Sequence, residues 1–169
     1  MSGCGVEFGN GDESIAGEGS SDNLDEAAIA AGIIVDPSAL DIQGFYERDS
    51  GFGTDRFCAI RQDDDRYQVG ILAVFGETSQ CEGRGTATLD GANVTMTLRN
   101  SRDDTCKVTA SFDGNVIQIA GEVADSCAAL CTPRASLAGV AIPLIDDSQD
   151  AAGKAVGRNI GRLCNGVSG

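Results

Sequence analysis

Histidine is absent from all 169 residues. That absence removes Ser-His-Asp catalysis, Cys-His catalysis and histidine-ligated metals from the candidate chemistries. Lysine occurs only as Lys107 and Lys154, so a Ser–Lys dyad has two candidates, and Lys107 falls on the outward side of an alternating segment. Tryptophan is missing and aromatics are 5% of the chain, so the core has to be built from aliphatic and small side chains. No apolar run is long enough to cross a bilayer as a helix. Basic residues are outnumbered, 12 against 26 acids, giving a net charge of −14. Such a chain is unsuited to a nucleic-acid backbone and to adsorption on anionic lipid headgroups.

Against these absences stand seven cysteines and 23 glycines. Six cysteines (Cys58, Cys81, Cys106, Cys127, Cys131, Cys164) lie in the part of the chain with a folding pattern. Cys4 lies alone, in Met1-Ser2-Gly3-Cys4-Gly5. An even set plus one outlier predicts three disulfides, an oxidising compartment and a separate role for Cys4. Ser2-Gly3-Cys4 has the small-small-Cys pattern at which a bacterial lipoprotein signal is cut and the cysteine acylated. The reading is therefore of a lipoprotein whose signal has been removed, with Cys4 as lipid attachment site.

The charge is unevenly spread. Ten of the 26 acids fall in residues 1–47, which contain no Lys or Arg; the remaining 16 face all 12 bases. Residues 1–21 read as a disordered acidic Gly/Ser tether; the other use of that composition is an arm for a basic partner. Residues 22–164 read as one domain, opened by a short helix over 22–31 and followed by a 165–169 tail.

Strand signals begin near residue 43. Short segments at 44–48, 55–61, 66–75, 81–89, 94–99, 105–112, 116–120 and 134–144 alternate or are apolar. Asp90-Gly91 and Asp113-Gly114-Asn115 mark hairpins. The stretch 66–75 is the most apolar and reads as a central strand, and Pro143 marks a strand end or an edge. An amphipathic helix is expected over 148–163, with Ala152, Val156, Ile160 and Leu163 on one stripe. The fold class is all-β with one or two short helices: a disulfide-stapled, small antiparallel eight-strand barrel or strongly curved sheet, with a β-sandwich as competitor.

In an up-and-down meander the cysteines gather at one pole, with Cys81 and Cys106 turned inward. Six cysteines allow 15 pairings. Cys81 with Cys106, these two with Cys127 and Cys131, and a local Cys127–Cys131 bridge all stay open. Zinc is the rival use, but Cys127-x₃-Cys131 is the only close pair. No metal site and no cofactor is expected. The acids cluster in turns (Asp63 to Asp65, Asp103-Asp104, Asp146-Asp147), where turn formation accounts for them. The run 127–139, pinned by two cysteines, is a candidate partner-contact loop through Arg134 and Ser136, or else a plug for the barrel end.

On Cys4, the block Cys81-Glu-Gly-Arg-Gly-Thr-Ala-Thr and the run Cys127 to Gly139, the chain resembles a family of uncharacterised exported lipoproteins of alphaproteobacteria over roughly residues 25–164. Its layout of lipobox, tether and disulfide-bonded barrel is loosely similar to periplasmic inhibitors of lysozyme or metalloproteases. The Ser-Gly-x-x-Tyr loop of c-type lysozyme inhibitors is not matched by Ser50-Gly51-Phe52-Gly53-Thr54. These readings imply a non-enzymatic, lipid-anchored protein of the periplasm, held at the outer membrane through Cys4 alone. It would bind an unknown protein or small ligand of the cell envelope. An inhibitor of lysozyme or a protease is the alternative, and a His-free hydrolase is a remote one.

Overall fold

Eight antiparallel strands follow one another around a closed barrel, each bonded to its sequence neighbours, with the last bonded to the first. They are β1 (Gly44–Asp49), β2 (Thr54–Arg61), β3 (Arg66–Val74), β4 (Gln80–Asp90), β5 (Asn93–Arg99), β6 (Thr105–Phe112), β7 (Val116–Ile119) and β8 (Ala141–Asp146). The computed structural model describes residues 18–32 and 36–165. Cys4, most of the tether and the 166–169 part of the tail lie outside the described residues. The chain divides into two units, Met1–Ile34 and Val35–Gly169. The first contains helix α1, Glu18–Ala30, which starts earlier than the expected 22.

Alternation builds the wall. In β6 every second residue, from Cys106 to Phe112, is buried and the others are exposed. The interior is a filled core, not a lumen. Tyr46 packs edge-on against Phe57 and Phe112, with ring centroids 5.1 and 6.1 Å apart. Val69, Ile71, Met96, Leu98, Val108, Ile117 and Ile142 fill the rest. One end is closed by residues ahead of β1: Ile42 is fully buried, and Tyr46 donates its hydroxyl to the Ile42 carbonyl at 2.9 Å. Tyr67 donates to Asp41 at 3.0 Å, and the Arg61 guanidinium lies over its ring.

Burial pushes the Tyr46 hydroxyl far above its ordinary value. Burial, aided by the hydrogen bond to Asp41, pushes Tyr67 up to about 12. Unfolded tyrosine ionises near pH 10. Raised folded values mean that both groups contribute stability in full below about pH 10, which is lost as the pH climbs towards and past 12. With no tryptophan, tyrosinate absorbance at 295 nm is a clean probe. The folded protein is expected to show no step at pH 10, and ionisation should coincide with loss of the far-UV signal of the barrel. A reversible step at pH 10 in the folded protein would contradict this packing.

Three expectations are corrected. The segment 134–144 is a strand only from Ala141; before it, Leu137 and Val140 turn into the barrel end as part of the core. Pro143 lies inside β8, opposite Val116 of β7, on the strand that closes the barrel. There β1 and β8 pair only at Phe45/Asp146 and Tyr46/Leu144, so a residue without an N–H is tolerated. The helix expected over 148–163 is a single turn, α2 (Gln149–Gly153). After it, Val156 bridges to Arg162, and the Gly157 N–H bonds the Gly161 carbonyl at 2.7 Å. Gly161 has φ +73°, a conformation that ends any helix and favours glycine.

This C-terminal strap covers the outside of the barrel. Ala152, Ala155, Leu163 and Cys164 bury the outward side chains Cys58, Ile60, Leu72 and Val74. Strand β3 is thus buried on both faces because the strap lies over it, not because it is central in a sheet. Gly70 makes the approach possible, since a Cβ there would collide with the Leu163 carbonyl.

Candidate functional site

The connection between β7 and β8, residues 120–140, is a long irregular element of the barrel unit. Its 3-10 helix, Asp125–Leu130, buries Cys127 and Leu130. Two disulfides fasten it: Cys106–Cys127 and Cys81–Cys131, with Cα atoms 4.7 and 4.0 Å apart. Cys81 and Cys106 both point inward at the end where β4 and β6 begin, so both bridges hold the connection over that pole. The backbone adds to this: the Thr132 N–H bonds the Gln80 carbonyl, and the Gln80 N–H bonds Thr132 Oγ1, each at 2.9 Å. The third disulfide, Cys58–Cys164, is not at the pole. It ties the strap to the outer wall, which corrects the expected gathering of all six cysteines at one end.

The connection plugs the pole with Leu130 and Leu137 and also presents polar groups outward. Thr132 to Ala135 form a turn closed by the Ala135 N–H on the Thr132 carbonyl at 3.1 Å. Pro133 occupies its second position and Arg134 its third, with φ +72°. A proline followed by a positive-φ residue defines a type II turn, whose third position favours glycine or asparagine. Arg134 is exposed, and the ion pairs among the described residues involve other cations. A cationic side chain is therefore held outward on a strained turn of a doubly crosslinked loop. Ser136 is exposed too, but its hydroxyl accepts the Ala138 N–H at 3.1 Å. It borders a cleft of about 360 Å³ with Val123, Asp125, Ala128 and Ala135. The structure thus places Arg134 and Ser136 on one loop, with Ser136 in the cleft wall and Arg134 outside it.

The acidic turns are occupied by local structure. Asp113 Oδ1 accepts the N–H groups of Val116 and Asn115, each at 2.8 Å, which holds its carboxyl below the usual range. Asp63 pairs with Arg66, and Asp104 with Arg102 and Asn100. Among the described residues no group of three or more Cys, Asp or Glu is arranged to hold a metal. Lys107 is exposed on the outside of β6.

Two buried carboxylates were not marked by the sequence: Asp55, which pairs with Arg48 and accepts the Val74 N–H at 2.7 Å, and Glu82. Glu82 is outward on β4 yet 5% exposed. Its oxygens accept the N–H groups of Asn159 at 3.0–3.1 Å and Ile160 at 3.2 Å. A Cβ at Gly157 would run into the Glu82 carboxylate. Arg158 continues the clasp, donating to Gln80 Oε1 at 2.8 Å and to the carbonyls of Gly76 and Glu77. No local pattern separates such a glutamate from a solvated one, because the amides that bury it lie about eighty residues away. No protein family, curated protein or solved structure matches the chain.

Proposed function

We propose that the protein is a non-enzymatic binding module of the cell envelope, a lipoprotein anchored through Cys4 that presents the Cys127–Cys131 connection to a protein partner. The observation that carries this reading is Arg134, exposed, without an ion-pair partner among the described residues and in a glycine-like conformation, on a loop with two disulfides. Backbone strain retained on a rigid, exposed loop is typical of recognition sites. The filled interior supports contact through the outside of the barrel in preference to enclosure of a small ligand. The disulfides fit export to an oxidising compartment.

Two measurements test the reading. Intact mass of the protein from its native host should rise by six protons on reduction and carry a diacylglyceryl group on Cys4. An unmodified Cys4 removes the anchor. Arg134→Gly should raise stability to denaturant by about 1 kcal/mol while weakening capture of the partner. A stability loss would show that the turn prefers arginine for structural reasons.

A second reading, an inhibitor of a basic lysozyme or protease, is favoured by the net charge of −14, which suits a cationic enzyme. Stoichiometric loss of lysozyme activity on titration with the protein is its expected result; undiminished activity at excess protein would remove it.

A further inference from the structure

The outward positions of β4, β5 and β6 carry an arrangement that the reading above does not use. In the β4–β5 pairing Arg84 stands directly opposite Arg99, and Thr86 opposite Thr97 on the next rung of the same face. Across β5–β6, Thr97 is opposite Lys107, which places Lys107 diagonal to Arg99. All three cations are exposed. Directly opposed side chains of an antiparallel pair start about 5 Å apart at Cβ, and like charges there repel.

Among the described residues no acid forms an ion pair with either arginine. Of the acids nearby in sequence, Glu82 is engaged by the Asn159 and Ile160 amides and Asp104 by Arg102 and Asn100. Arg84 gives one N–H to the Arg162 carbonyl at 3.3 Å. The side chains of Arg99 and Lys107 have no hydrogen-bond or ion-pair partner among the described residues.

We propose that Arg84, Arg99 and Lys107 form a binding site for the phosphoryl group of a small soluble ligand. Two guanidiniums on opposed strand positions offer paired N–H donors to one tetrahedral oxyanion. Thr86 and Thr97 supply hydroxyls on the adjoining rung, and Lys107 supplies the third charge. The same anion removes the repulsion between the two arginines. Size follows from the total charge: a molecule at −14 repels an anionic bilayer or long polyanion, whereas a small ligand feels mainly the local cations. The site depends neither on the Cys4 anchor nor on the Arg134 loop.

The test is thermal denaturation of the full chain in inorganic pyrophosphate, with ionic strength held constant by sodium chloride. The wild-type midpoint should rise by about 3 °C at a concentration tenfold above Kd. In the Arg84→Gln/Arg99→Gln double variant that rise should vanish, and the ligand-free midpoint should be unchanged or up to about 2 °C higher. Lys107→Gln, a single change at an exposed position, should weaken pyrophosphate binding about threefold or more by calorimetry. That measurement keeps the proposal testable if the double variant folds poorly. An unresponsive wild type, or an equal rise in the double variant, overturns the site. Arginine-dependent sedimentation with phosphatidylglycerol vesicles, without any pyrophosphate response, overturns the soluble ligand in favour of a headgroup.

Discussion

Replacing Cys58 and Cys164 together by alanine is expected to lower the stability of the barrel by about 4 kcal/mol. The two residues are 106 apart in sequence, but the Cys81–Cys131 bridge shortens the loop that their disulfide closes to roughly 60 residues. Loop-closure entropy for that length is about 4 kcal/mol at 25 °C. The loss should be directional. Freed at its end, the strap uncovers Cys58, Ile60, Leu72 and Val74, whereas the interior core around Tyr46, Phe57 and Phe112 keeps its contacts. Denaturant titration gives the magnitude, and hydrogen exchange gives the place, with protection lost first at residues 149–165. A loss under about 1 kcal/mol, or strap amides as protected as before, would mean that packing alone seats the strap.

Glu82→Ala should cost about 3 kcal/mol. The carboxylate accepts N–H groups from Asn159 and Ile160, and hydrogen bonds to a charged acceptor contribute about 1.5–3 kcal/mol each. Alanine leaves those amides without a partner beside the close approach of Gly157. Glu82→Gln keeps one carbonyl oxygen and should lose less than half as much. Combined with the cysteine pair, Glu82→Ala should add less than its separate cost, because both devices hold the same segment and a released strap has no site to lose. Full additivity in denaturant titrations of the three variants would show that the carboxylate stabilises the β4 wall independently of the strap.

Each barrel strand was legible, at least in part, because a period of two is local. Cys81 to Leu89 and Thr105 to Phe112 declare an inner and an outer face without reference to the rest of the chain, and Asp90-Gly91 and Asp113-Gly114 mark the reversals. The same logic failed at 134–144, where Leu137 is apolar because it plugs the pole, not because it belongs to a strand. It failed again at 148–163. There Ala152, Val156, Ile160 and Leu163 have helical spacing, yet Val156 is 44% exposed. Gly157 and Gly161 serve a tight reversal around Glu82 and not a helix. The Arg134 loop was legible as pinned by cysteines; its positive φ was not, since arginine is not the residue that such a turn selects.

The sequence by itself determined the strand number, their order in a meander, the inward setting of Cys81 and Cys106, and the chemistry closed to a chain without histidine. These follow from composition and from alternation, which act over a few residues. Only the tertiary structure decided that the barrel closes, which cysteines pair, and that Cys58 joins a strap on the outer wall. It also decided that Glu82 is buried. Each of these depends on which distant residues closure brings within a few ångströms. Sequence spacing carries no record of that distance until the register around the whole barrel is set.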